Sequence, residues 1–298
     1  PISLLEHNPL AFLDLKIKRS CEFFLNEALF AYDFPGHYCR QIKSVSVTFD
    51  IQPNLHRTVF ATLTQLSHHT VTKPDSKAVK FMLDPKGQPP QSIRSNWRDG
   101  QQIAISRIQE DNGILDSFPD QERYEHFEGT GAVSRWRLEI NGSPGDSLDI
   151  ANLEDVIINV EYTALQGGQA YADSIKGLLK PYPTTTLLDL SLVSGDNWLD
   201  FLDGDTDTLT LPLTRDLFPN MSGGKVSSIY LFVEADGDSR GNVRLNQDEE
   251  LTLKHQHILK PGSLNIGRNG STWQLTYSGD RSELQNISLV VGYRAKVG

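Results

Sequence analysis

The stretch Leu29-Phe30, Phe34-Pro35-Gly36, Arg40 and Ile42-Lys43-Ser44-Val45-Ser46-Val47 returns later as Leu217-Phe218-Pro219, Gly223-Gly224-Lys225 and Val226-Ser227-Ser228-Ile229-Tyr230-Leu231. Working outward, Ser134-Arg135-Trp136-Arg137-Leu138 is echoed by Ser271-Thr272-Trp273-Gln274-Leu275. Val156-Ile157-Ile158-Asn159-Val160-Glu161-Tyr162-Thr163-Ala164 is echoed by Ile287-Ser288-Leu289-Val290-Val291-Gly292-Tyr293-Arg294-Ala295. Landmarks matched in one order argue for two versions of one β-rich unit.

A chain of 298 residues holds two cores of ordinary size. With 38% hydrophobic and 22% charged residues it has the composition of an ordinary globular protein. A net charge of -10 gives no footprint for nucleic acid or anionic lipid. No apolar run approaches the roughly 20 residues of a membrane helix, and no signal peptide opens the chain, so direct membrane insertion by this segment is not expected. Starting at Pro1 without Met, the sequence reads as a piece of something longer.

Period-2 alternation marks strands at Leu13, Leu15 and Ile17, at Val45, Val47 and Phe49, and at Trp136, Leu138 and Ile140. It recurs at Leu209, Leu211 and Leu213, at Ile229, Leu231 and Val233, at Leu251 and Leu253, and at Trp273, Leu275 and Tyr277. Turn chemistry closes the runs, as at Asn141-Gly142, Asp236-Gly237 and Asn269-Gly270. The expected fold is all-β: two related antiparallel sandwich units of jelly-roll type joined by a short helix. The first unit is residues 1–167, with a loop-rich insert near 72–125 that has a strand at Ile103 and Ile105. A helix and linker occupy 168–183, stopped by Pro181 and Pro183, and the second unit is 184–298. Cys21 shares a strand face with Phe23 and Leu25, so Cys21 and Cys39 read as idle thiols, a bridge being the minority reading.

Three blocks carry a family resemblance. Leu29 to Val47, with Phe34-Pro35-Gly36-His37-Tyr38 at its centre, resembles the C-terminal region of A subunits of bacterial Tc (toxin complex) insecticidal toxins. So do Glu122 to Trp136, containing Phe127-Glu128-Gly129-Thr130-Gly131, and Asp155 to Ala164 with Gly167-Gly168 after it. The resemblance continues through Leu217-Phe218-Pro219 towards the end of the chain. It implies a secreted assembly in which a pentameric A subunit docks the β-propeller B subunit of a B-C cocoon, this segment being the B-binding module. One departure stands at Thr48 to His56, where the family usually has Pro-Cys and Gly-Pro-Tyr, which bears on partner specificity.

Read as residues alone, Phe34, Pro35, Gly36, His37, Tyr38, Phe127, Glu128, Gly129, Gly131 and Trp136 are mainly structural: two turns, a strand start and a core anchor. Arg40 and Lys43 read as residues of a solvated strand face, the other reading being contacts with an acidic partner. Trp97 and Trp198 sit in polar stretches that suit a contact surface. Glu122, Glu125 and Glu128 form no coherent acid-base pair, and no Gly-x-Ser-x-Gly elbow is present, so no enzyme is expected. His68-His69 and His255-Gln256-His257 read as packed or surface histidines, without a third ligand. Asp236-Gly237-Asp238-Ser239-Arg240-Gly241-Asn242 departs from a calcium loop at Arg240 and Gln247, and with Asp203-Gly204-Asp205-Thr206-Asp207 it reads as a hairpin turn. Neither cofactor nor metal is expected. The alternative function is a carbohydrate-binding lectin using Trp97 or Trp198. A hydrolase using Glu122 or Glu128 ranks third.

Overall fold

The computed structural model describes residues 1–51, 58–98, 102–108, 126–141, 150, 153–179, 181–235, 242–246, 251–252, 256–259 and 265–295. Two compact units divide the chain, Pro1–Leu179 and Lys180–Gly298. The first holds β1 (Ile2–Ser3), α1 (Leu4–His7), α2 (Pro9–Lys18), β2 (Ser20–Leu25), α3 (Glu27–Asp33), β3 (His37–Ile51), β4 (Thr58–Val71), α4 (Ser76–Leu83), β5 (Ile93–Ser95), β6 (Gln102–Ile108), β7 (Val133–Ile140), β8 (Leu153–Gln166) and α5 (Gln169–Leu178). The second holds β9 (Tyr182–Asp189), α6 (Leu190–Ser194), α7 (Asp196–Leu202), β10 (Thr208–Leu213), β11 (Met221–Ala235), β12 (Asn242–Leu245), β13 (Leu251–Thr252), β14 (Gln256–Leu259), β15 (Ser271–Tyr277) and β16 (Leu284–Ala295).

Each unit is built from two antiparallel sheets. In the first unit their orders are β1-β8-β3 and β2-β7-β4-β5, with β6 also on β4; in the second they are β9-β16-β11-β14 and β10-β15-β12-β13. The correspondence extends to register. Val45 faces Val160 as Ile229 faces Val291, and Ser44 faces Glu161 as Ser228 faces Gly292. Both ribbons then slip by one residue, at Ile42/Ser44 and at Val226/Ser228. Phe23 lies opposite Trp136 as Leu211 lies opposite Trp273. A buried ring from the preceding segment meets each ribbon tyrosine edge-on: Phe30 with Tyr162 at 5.2 Å, Phe218 with Tyr293 at 5.6 Å.

The helical corners match as well. β1 and β9 pair with β8 and β16 and end on a residue that caps the next helix, Ser3 accepting from Glu6 N and Asp189 from Ser191 N. Leu4, Phe12 and Leu15 are buried in the first unit where Leu190, Trp198 and Phe201 are buried in the second.

Four expectations change. Leu13, Leu15 and Ile17 lie in helix α2, not a strand: Asn8 caps it, Pro9 opens it, and the spacing of Ala11 with Leu15 is helical. Two strand-like steps are also one helical i,i+4 step, and Ile17 is exposed. Trp198 is core, only 6% exposed. Asp203-Gly204-Asp205-Thr206-Asp207 joins α7 to β10 and is not a hairpin; Arg281 donates to the Phe201 and Thr206 carbonyls and to Asp207. Helix α5 packs Tyr171 and Ile175 against Ala31, Val71, Ala78 and Val79 inside the first unit. The strand expected at Ile103 and Ile105 is β6, while α4 was not anticipated. Cys21 is buried on β2, both cysteines are free, and burial pushes the Cys21 thiol up to about 12.

Candidate functional site

Given a duplicated framework, what one copy has and the other lacks marks candidates for function. Where the second unit enters Phe218-Pro219 from a single 3-10 turn at Arg215–Leu217, the first has the full helix α3, capped by Asn26. Both then turn at a Phe-Pro pair, His37 N donating to the Phe34 carbonyl and Met221 N to the Phe218 carbonyl, and in the first unit the corner Phe34-Pro35-Gly36-His37-Tyr38 runs into the start of β3. Phe34 is half exposed and stacks flat on His37, with ring centroids 5.0 Å apart and planes 6° apart. Tyr38 turns inward and meets Tyr171 edge-on at 6.2 Å. Gly36 is tightly placed: an added Cβ would lie 3.3 Å from the Ala172 Cβ. The corner, with Gln166 and Lys176, lines an open hollow of about 280 Å³. Across the ribbon Leu165, opposite Tyr38, is 53% exposed.

Behind the corner lies a buried ion pair. Arg40 Nη1 donates to Glu27 Oε1 at 2.5 Å and Arg40 Nη2 to the Phe34 carbonyl at 3.0 Å; both side chains are nearly sealed from water. Burial raises the Glu27 carboxyl above its ordinary value, and the Arg40 charge and hydrogen bond oppose that rise. Arg40 is therefore not on a solvated strand face, whereas Lys43 is exposed and meets Glu161 at 3.5 Å. A long basic side chain in a strand otherwise polar outward gives no sign, in sequence, that an acid 13 residues earlier closes over it.

The second block is locked onto the first. Gly129 N donates to the Ile42 carbonyl, Ile42 N to Thr130, and Ala132 N to Arg40. Thr130 Oγ1 donates to the Phe127 carbonyl and accepts from Gln65 Nε2 at 3.1 Å. Gly131 N donates to His68 Nδ1 at 3.2 Å, and Trp97 Nε1 to the Gly129 carbonyl at 3.2 Å. Trp97 also meets His68 edge-on at 4.3 Å and lies under the Arg94 guanidinium, so it clamps the turn. Phe127, fully buried at φ 71, packs edge-on against Trp136 at 4.7 Å. Gly131 is forced: a Cβ there would fall 2.1 Å from the His69 carbonyl oxygen. Glu128 points out to solvent while Arg98 Nη1 holds its carbonyl.

Burial lowers the His68 and His69 pKa values, which favours the uncharged form of each ring. His69 Nδ1 lies 2.8 Å from Ser95 Oγ. No cluster of three metal-ligating side chains occurs among the described residues, and no described helix is long and apolar enough to cross a membrane. Glu122, Glu125, His255, Gln247 and most of the Asp236 to Asn242 loop lie outside the described residues, as do residues 52–56 of the family departure. What the structure assembles is a rigid, polar-pinned corner with an apolar rim, an arrangement suited to holding a partner.

A family model described as Tc toxin complex TcA C-terminal TcB-binding domain matches residues 1–164. The toxin subunit YenA2 of Yersinia entomophaga is 36% identical over 167 residues, 55% of this chain, and the chain spans only 12% of that relative's length. Among solved structures, a chain of the Sulfolobus Turreted Icosahedral Virus is 11% identical over 87% of this chain and 58% of its own, with a TM-score of 0.16 that carries no argument.

Proposed function

Since the chain belongs to the family of Tc toxin complex TcA C-terminal TcB-binding domains, a docking module of a TcA subunit, we propose that its first unit makes the docking contacts and that the corner Phe34 to Tyr38 lies at their centre. One observation carries this reading. The corner and its Glu27–Arg40 brace lie within the family-matched span; the second unit makes the same Phe-Pro turn at Phe218-Pro219, but there Phe218 is buried where Phe34 is half exposed, and no buried ion pair braces it among the described residues. A half-exposed Phe34 stacked on His37 supplies an apolar anchor, and the buried brace spares the partner the entropy of ordering it.

In this reading the chain works without turnover, in a secreted toxin complex whose A subunit is pentameric and whose B subunit presents a β-propeller. The lectin alternative loses half its basis with Trp198 in the core, and Trp97 is spent on the Gly129 turn. Immobilised chain incubated with the B subunit encoded beside the parent gene tests the proposal: stoichiometric capture is expected, falling at least tenfold in affinity for Phe34→Ala. Failure to capture the B subunit removes the docking assignment; capture indifferent to Phe34→Ala moves the surface elsewhere.

A further inference from the structure

Helix α5 makes the Phe34 corner one wall of a socket. Gly167 N donates to the Gly36 carbonyl at 2.9 Å, and Gly168, at φ 86, swings the chain from β8 into α5, which brings Ala172 against Gly36. Neither of those two residues carries more than a methyl group, so the space between the walls stays open as the hollow of about 280 Å³. That volume lies just below the roughly 300–1,000 Å³ of small-molecule sites and suits one large side chain.

Burial divides the lining. Pro35, Gly36 and Ala172 are partly buried and form the base, whereas Asp33, Phe34 and Lys176 are exposed and stand at the mouth. The stacked Phe34 and His37 rings offer a flat aromatic wall. Asp33 and Lys176 carry opposite charges, and neither has an ion-pair partner among the described residues. An acidic occupant meets the like charge of Asp33 and a basic one that of Lys176, so each gains one attraction against one repulsion. A neutral aromatic ring meets no like charge: its body packs on the Phe34–His37 stack, and the Lys176 ammonium can close over its face.

We propose that the hollow between the corner and α5 is a socket for one uncharged aromatic side chain of the B subunit. The proposal rests on the docking reading above and specifies what the partner inserts. Anchors of this kind carry most of the energy of an interface when they fill a preformed pocket, and here the Glu27–Arg40 brace and the Gly36–Ala172 contact hold both walls in advance. The α5 wall, Gly168, Gln169, Ala172 and Lys176, lies past residue 164, where the family-matched span ends. Partner choice is therefore set in part by a helix outside that span, without any change to the shared corner.

Filling the socket from the α5 side tests this on the 298-residue chain, with affinity for the B subunit as the readout. Ala172→Met grows a side chain from the base, and Gln169→Trp covers the mouth from an exposed position that gives up only its bond to Asp173 Oδ1 at 2.8 Å. Each is expected to weaken capture at least tenfold. If Ala172→Met fails to fold in urea titration, Gln169→Trp decides alone. Wild-type affinity in the folded variants overturns the socket and leaves docking intact; a wild-type chain that captures no B subunit overturns docking and the socket with it. Two charge variants identify the occupant. Lys176→Gln is expected to weaken binding about threefold through the lost cation–π contact, with no gain from Asp33→Asn. Opposite shifts of tenfold or more in these two variants reveal a charged occupant and overturn the aromatic one.

Discussion

The two units reach the same framework with cores of different chemistry. Among the described residues the second unit buries only Ser194 and Ser288 as polar side chains, and the rest of its interior is aliphatic and aromatic. The first buries Glu27, Arg40, Gln65, His68, Thr70, Thr130 and Ser134. The framework therefore does not need buried polarity; the first unit uses it to fix a corner and a turn. Such networks trade stability for a single geometry, because each member left unpaired is costly.

The comparison breaks most sharply at the ion pair. Arg40→Met strands the Glu27 carboxylate and is expected to cost the first unit about 3–5 kcal/mol in urea unfolding. Adding Glu27→Gln is expected to recover part of that loss. A double variant as unstable as the single one contradicts the view that an uncompensated charge is what costs. The shared aromatic joint gives the control: Phe30→Ala and Phe218→Ala are each expected to cost about 3–5 kcal/mol, matched within about 1 kcal/mol, because the joint is the same in both copies.

Acid sharpens the contrast. Burial holds the folded His68 pKa below its ordinary value of 6.5, with His69, Arg94 and Arg98 pressing the same way and the Arg98 carbonyl opposing. The unfolded chain then binds more protons, so this stability is fully present above pH 6.5 and is lost as pH falls through 6.5 towards the folded value. Chemical denaturation of the wild type and of His68→Gln between pH 7.5 and roughly 5 is expected to show a steeper loss for the wild type, and equal slopes count against His68 as the source. The smallest effects are at the helix caps: Ser3→Ala and Asp189→Ala are each expected to cost about 1 kcal/mol, Asp189 the more because it also accepts from Asn286 Nδ2 at 2.9 Å.

Legibility in the sequence divided along the same line. Side chains whose role is packing were readable, because period 2 and repeated aromatics survive duplication: Trp136 with Trp273, Phe30 with Phe218, Tyr162 with Tyr293. The turn at Glu128 to Gly131 was readable from its glycines, though not that His69 crowds Gly131. Short apolar runs misled where strand and helix periods coincide, as at Leu13 to Ile17. Trp198 misled because Asp196, Asn197 and Asp200 around it face out of a helix that no strand-centred reading anticipated. The Glu27–Arg40 brace and the His68–Trp97 clamp depend on tertiary approach and register, which linear spacing does not encode.

The slip at Ile42/Ser44 and its twin at Val226/Ser228 have a kinetic consequence. Because both strand pairs carry the same irregularity at the same depth, β3 is a stereochemical match for β16, and β11 for β8. A refolding chain thus meets two well-fitting wrong partners, and crosswise mating is the trap to expect at the start of renaturation. Ribosomal emergence from the N-terminus, which lets β3 close on β8 before β16 exists, avoids that trap.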